Sequence, residues 1–127
     1  MSISGITAPG AKSVGPYSHA AEANGFVFVS GQIPMDNATG SLVDGDISAQ
    51  AEQVFRNIRN VLGASGLEMS DVVKVQVFLT DMANFKAVNA VYEKQFTPPY
   101  PARSAFGVAA LPLGAQVEIE LIAARNS

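Results

Sequence analysis

The sequence predicts an α+β fold, one mixed sheet with two helices packed on one of its faces. Three observations carry that expectation: short extended segments crowd the first third of the chain, two stretches of helical periodicity follow with a strand between them, and two more strands close it. At 127 residues the chain has the size of a single domain, spanning 1–127, and 48% hydrophobic residues are enough for a sizeable core.

Glycine and proline break up the front end, at Ala8-Pro9-Gly10, Gly15-Pro16, Asn24-Gly25 and the turn-rich run from Asp36 to Asp46. Between them lie extended segments around Tyr17 to Ala23 and Phe26 to Ile33, with Asn24-Gly25 as a two-residue hairpin turn that tolerates positive φ. From Ile47 the period changes. Ile47, Ala51, Val54, Phe55, Ile58, Val61 and Leu62 form one helical stripe, Asp46 or Ser48 caps its start, and Gly63 is the expected stop. Val73, Val75, Val77 and Leu79 then alternate with polar residues as a strand. Asp81 opens a second helix with Met82, Phe85, Val88, Tyr92 and Phe96 inward, ended by Pro98-Pro99. Arg103 to Ala109 and Gln116 to Ala123 are the closing strands, read as a hairpin across residues 111 to 114.

Two helices, each roughly 10 Å wide, cover some four strands spaced about 4.8 Å apart on one face of the sheet. Yet Phe26-Val27-Phe28-Val29 and Phe106-Gly107-Val108-Ala109 put apolar groups on both faces of their strands. An apolar face with no helix left to cover it predicts further copies of the chain in a closed homo-oligomer.

Composition excludes whole classes of chemistry. With no cysteine and one histidine, His19, the chain has no disulfide, no thiolate metal site, no cysteine nucleophile and no cluster of histidine ligands. A net charge of −3 and a pI near 4.9 oppose nucleic-acid binding, which needs clustered Lys and Arg. No apolar stretch approaches a membrane span, and a cytoplasmic location is expected.

Arg103 is the first candidate for chemistry. It sits at the start of a strand among small and apolar neighbours, where a guanidinium calls for an anion: a bound carboxylate gripped by two parallel hydrogen bonds, or an internal Glu or Asp. Glu118 and Glu120 alternate with Val117, Ile119 and Leu121, so both project from one face. They are either a solvated edge or hold a carboxyl with a raised pKa that moves protons to and from water. In the hairpin pairing Arg103 opposes Ile122, which leaves Glu120 one diagonal step away and Glu118 about 13 Å along the strand. Ser30-Gly31 ends a hydrophobic strand, where Gly31 permits close approach of a ligand or forms a plain bulge. His19 reads as a surface or strand histidine rather than a triad base, while Asn89 reaches a polar ligand or merely faces water, the favoured reading.

Taken together, Gly15-Pro16-Tyr17-Ser18, Val29-Ser30-Gly31-Gln32-Ile33-Pro34, Val88-Asn89-Ala90-Val91-Tyr92, Tyr100-Pro101-Ala102-Arg103-Ser104 and Val117-Glu118-Ile119-Glu120 make a chain that resembles the RidA family, also called YjgF/YER057c/UK114. The resemblance implies a chorismate-mutase-like fold of the bacillus type and a homotrimer with clefts between subunits. It also implies 2-iminobutanoate/2-iminopropanoate deaminase activity. On the matching positions, Arg103 holds the substrate carboxylate and Glu118 positions or protonates water. Tyr17, Ser30, Gly31 and Asn89 line the same cleft, and residue 105 contributes its main chain. Ala105 stands where many members carry Cys, so no thiol chemistry is available there.

The implied substrates are imines released by pyridoxal-phosphate-dependent dehydratases, which gives the chain a functional link to those enzymes. They hydrolyse readily enough that no metal, cofactor or covalent nucleophile is needed. A clamp, an oriented water and a proton relay suffice. Two rival readings remain: a deaminase or hydrolase of the same fold acting on a larger enamine or amide, and a non-catalytic trimer that binds small carboxylates or acts as a holdase.

Overall fold

In a computed structural model the described residues are 3–11 and 15–126. Ten regular elements follow one another: β1 (Ser4–Ile6), β2 (Ala20–Ala23), β3 (Phe26–Gln32), β4 (Met35–Asp36), β5 (Ser41–Leu42), α1 (Ile47–Ala64), β6 (Val72–Leu79), α2 (Phe85–Glu93), β7 (Ala102–Gly107) and β8 (Val117–Ala124). Six strands form the main sheet in the order β1-β2-β3-β8-β6-β7, and β4 and β5 form a small ribbon. The α+β class with one main sheet and two helices agrees with the expectation from sequence.

The alternation of each central strand sorts its side chains cleanly. Val27 and Val29 of β3, Val75, Val77 and Leu79 of β6, and Val117, Ile119 and Leu121 of β8 are buried beneath the helices. The α1 stripe from Ala51 to Leu62 packs onto them, and Val88, Val91 and Tyr92 of α2 complete the layer. Asp46 caps α1, its Oδ1 accepting the Ala49 amide at 2.9 Å. Both residues of the Asn24-Gly25 turn have positive φ, as a tight β2–β3 hairpin requires.

The structure corrects five local expectations. Gly63 does not stop α1, which runs on to Ala64 and closes with Gly66 at φ +73°, the left-handed conformation that a terminal glycine adopts freely. A bulge between Val72 and Lys74 shifts the phase of β6, so that Val72 is buried and Val73 exposed. The second helix starts later and stops earlier than its apolar stripe suggests. Met82 lies exposed in a separate 3₁₀ turn, and α2 ends at Glu93, five residues before Pro98, while Phe96 folds back edge-on to Phe55. His19 is buried rather than on the surface, and its Nδ1 accepts the Ala8 amide at 3.0 Å.

The fifth correction matters most for the site. β7 and β8 are not a hairpin: β7 lies parallel to β6 on one side, and β8 lies antiparallel to β6 on the other. The helix between β6 and β7 is the reason, because a crossover through α2 returns the chain in the same direction. The last strand can then fill only the remaining side of β6, between β6 and β3. Among the described residues no helix is long and apolar enough to cross a membrane.

The face away from the helices is uncovered. Phe26, Phe28 and Phe106 are 45%, 48% and 46% exposed on it, and Phe106 stacks on Phe78 with ring centroids 6.0 Å apart. Rings this exposed on one face of the sheet make an apolar surface that neither helix covers.

Candidate active site

Strand register decides which candidates meet. Arg103 pairs with Val75, which pairs in turn with Leu121, both core residues, so Arg103 projects on the helix-covered side at the sheet's edge. Glu118 pairs with Phe78 and Glu120 with Gln76, on the opposite, open side. Within one chain the two leading candidates therefore sit on opposite faces of the sheet, with β6 between their strands. The diagonal contact between Arg103 and Glu120 that the hairpin required is absent.

On the helix side, α2 builds a seat for the guanidinium. Phe85, Asn89 and Tyr92 recur at helical spacing and so share one face. The Arg103 guanidinium carbon lies 4.6 Å from the Tyr92 ring centroid and 5.3 Å from that of Phe85. Its Nη1 donates to Asn89 Oδ1 at 2.5 Å, and Asn89 Nδ2 donates to Glu93 Oε1 at 3.2 Å. This reverses the expectation that Asn89 merely faces water. It also removes the internal salt bridge as an account of Arg103, because among the described residues the ion pair is Arg125 with Glu22 at 2.8 Å, and Arg103 makes none. A neutral amide and two aromatic faces orient the guanidinium without neutralising it. An open cleft of about 610 Å³ lies over it, lined by Asn89, Tyr92, Glu93, Tyr100, Pro101 and Arg103.

On the open side, β3 bulges between Val29 and Gln32, against β8. The bulge carries Ser30 and Gly31. A Cβ on Gly31 would lie 2.6 Å from Glu118 Oε2, so only glycine lets the strand pass this close to the carboxylate. Ser30 Oγ donates to the Ser18 carbonyl at 2.7 Å, which ties the bulge to the segment bearing Tyr17. Tyr17, Ser30, Phe28 and Glu120 border a shallow groove on this face. Glu118 is half-buried with no hydrogen bond among the described residues, and burial first, then the neighbouring Glu120 charge, pushes its carboxyl above the usual carboxylate range. Glu120 itself is exposed.

The sequence candidates thus divide into two groups. Arg103 and Asn89 belong to the helix-side cleft; Glu118, Gly31, Ser30 and Tyr17 gather around the open-side bulge. Ala105 is on β7 with Arg103 and faces the same side, packed against the core opposite Val77.

Two features went unnoticed in the sequence. Asn57, buried on α1, donates from Nδ2 to the Ile33 and Met35 carbonyls at 3.1 and 3.0 Å, pinning the chain just beyond the bulge. The cue was an amide between Phe55 and Ile58, in the buried sector of the stripe. The other is Tyr92, whose buried hydroxyl has no hydrogen-bond partner among the described residues although its ring carries Arg103.

Comparison with known proteins extends this picture. Residues 6–125 match the family model described as Endoribonuclease L-PSP. The chain is 43% identical over 121 residues to the human protein named 2-iminobutanoate/2-iminopropanoate deaminase, covering 95% of this chain and 87% of that one. It is 49% identical over 111 residues to the chloroplastic Reactive Intermediate Deaminase A of Arabidopsis thaliana, covering 87% of this chain and 59% of that one. The crystal structure of the yeast protein YEO7 superposes with a TM-score of 0.94 at 44% identity, over 98% of this chain and 100% of that one. Such agreement along almost the whole length, in sequence and in backbone, means that the chain belongs to the Endoribonuclease L-PSP family, the YjgF/RidA family.

Proposed function

We propose that this protein hydrolyses reactive 2-imino and enamino acids, such as 2-iminopropanoate and 2-iminobutanoate, to 2-oxo acids and ammonia. The observation that carries the reading is the Arg103 seat: a guanidinium held over the Tyr92 ring by the neutral Asn89, with its charge left for a ligand. A planar fork so presented fits a carboxylate. The names of the human and Arabidopsis relatives point to the same substrates.

In this reading the working unit is a homotrimer of chorismate-mutase-like domains, each spanning 1–127. The exposed phenylalanines of the open face turn inward, and Arg103 of one subunit meets Glu118 of its neighbour. That arrangement answers the separation of the two groups within a single chain. Arg103 fixes the substrate carboxylate, and with it the adjacent iminium carbon. Glu118 takes a proton from water as the water oxygen bonds to that carbon, forming a tetrahedral carbinolamine. It then returns the proton to the nitrogen, and as the carbon–nitrogen bond breaks the hydroxyl gives its own proton to Glu118 and becomes the carbonyl, so that ammonia leaves behind a 2-oxo acid. A carboxylate whose pKa is held above its ordinary value is a stronger base toward water than a free one, and its conjugate acid still gives the proton to the more basic amine nitrogen. Tyr17, Ser30, Gly31 and the main chain at Ala105 complete the walls. The step consumes only water, so no cofactor enters it.

The ribonuclease in the family description is not carried over to this chain. Its net charge of −3 opposes a polyanion, and Arg103 is the single cation lining its cleft among the described residues.

The test generates 2-iminopropanoate in place with a serine dehydratase and traps it with semicarbazide. Wild type is expected to suppress trapping, and Arg103→Ala to lose at least about a hundredfold in kcat/KM, as for loss of a charge-assisted bidentate clamp on the substrate. Equal suppression by both proteins would sink the reading.

A further inference from the structure

The cleft over Arg103 contains an acidic residue that the proposed reaction does not use. Glu93 is the last residue of α2, one turn beyond Asn89, and lines the same cleft. Its Oε1 accepts from Asn89 Nδ2, and Asn89 Oδ1 accepts from Arg103 Nη1. The three side chains form one directed chain of hydrogen bonds, from guanidinium to amide to carboxylate.

Direction is the important property. A carboxamide can rotate about its last bond and exchange its oxygen for its NH2 group. Turned over, Asn89 would point N–H groups at the N–H groups of Arg103, and the bond that seats the guanidinium would be lost. A guanidinium only donates and an ionised carboxylate only accepts, so with both neighbours present a single amide orientation satisfies them. Asn89 is partly exposed, and no other side chain among the described residues hydrogen-bonds to its amide.

We propose that Glu93 is a positioning residue for Arg103: by accepting the Asn89 amide it fixes Asn89 Oδ1 toward the guanidinium, which then lies over the Tyr92 ring and open to a carboxylate. Glu93 acts through Asn89 and does not touch the substrate. Placing the negative charge one residue away, behind a neutral amide, orients the guanidinium without giving it a direct ionic partner. This inference rests on the reading of Arg103 as a carboxylate clamp.

The test measures pyruvate binding by calorimetry and imine turnover by semicarbazide trapping, for wild type, Arg103→Ala, Glu93→Ala and Glu93→Gln. Glu93→Ala is expected to raise the pyruvate Kd and the KM about 3- to 10-fold, the size of one lost hydrogen bond, with kcat changed less than about twofold. Glu93→Gln keeps an accepting oxygen and is expected to restore both constants to within about twofold of wild type. Unchanged constants in Glu93→Ala overturn the proposal. So does tighter binding in both Glu93 variants, which would mean that Glu93 only repels the ligand's charge, and so does a Gln variant as weak as Ala. If Arg103→Ala binds pyruvate as wild type does, the clamp reading falls and takes this inference with it. If Arg103→Ala loses binding while Glu93→Ala keeps it, the positioning role falls and the clamp stands.

Discussion

On the helix-covered side of the sheet, Arg103 is held on several sides: Tyr92 and Phe85 against its plane and Asn89 at its edge. On the open side, Glu118 has no hydrogen-bond partner among the described residues, and the Gly31 backbone lies close against its carboxylate. The contrast follows from what each group has to offer a ligand. A guanidinium keeps its charge in any surroundings, so the fold need only aim it with neutral contacts. A carboxyl useful in proton transfer must have its affinity for the proton adjusted, and partial desolvation beside a like charge does so without a partner.

If the two regions work on one substrate across a subunit boundary, each should be replaceable from a different chain. The largest effect we expect is complementation. Arg103→Ala and Glu118→Gln, each reduced on the order of a hundredfold alone, are mixed after denaturation and refolded together. Rescue to about a quarter of wild-type activity, the statistical share of intact interfaces in a closed ring, is the outcome that supports the shared site. No rescue above the sum of the two variants would break it.

Gly31→Ala sharpens the open-side half. The added Cβ collides with the carboxylate end of Glu118, a side chain free to swing aside. Turnover is expected to fall about tenfold or more, since the carboxyl is displaced from its position, while the melting temperature stays close to wild type. A large loss of stability would show the bulge to be structural instead.

Glu118 also links this half to pH. Because its carboxyl is pushed up in the folded chain, the native state binds the proton more tightly than the unfolded state. That contribution to stability is complete below the ordinary carboxylate value near 4.5 and is lost as pH rises through the raised one. Glu118→Gln, which cannot ionise, is therefore expected to be more stable than wild type at pH 7 and equal to it near pH 4, by denaturant midpoints. A pH-independent difference between the two proteins would contradict the desolvation account.

The smallest effect tests the helix-side half. The Tyr92 hydroxyl is buried without a partner among the described residues, whereas its ring supports Arg103. Tyr92→Phe keeps the ring and removes the orphaned group. It is expected to leave KM within about twofold and to raise stability by about 1 kcal/mol. A drop in stability would mean that the hydroxyl finds a partner in the assembly.

Much of the fold was legible in the sequence because it depends on local periodicity. The α1 stripe, its Asp46 cap, the Asn24-Gly25 turn and the alternation of β8 are written in spacings of two and of three to four residues, and each forms as those spacings require. Where the reading failed, a neighbour distant in sequence decided the outcome. Val73 turns outward because β6 bulges against β8, and α2 ends early because Phe96 folds back to Phe55. Asn89 looked like a solvent-facing amide until β7 brought Arg103 beside it.

The residue types by themselves determined that no thiol nucleophile, disulfide or cluster of histidine ligands is available here, since no cysteine and one histidine are present. They also determined that Glu118 and Glu120 share a face, because a strand alternates. Only the tertiary structure decided which face that is, and that Arg103 lies on the other. The side of a sheet that a residue faces depends on which strands pair, in which direction and in what register. Those choices are set by burial of the whole core and leave no local mark in the chain.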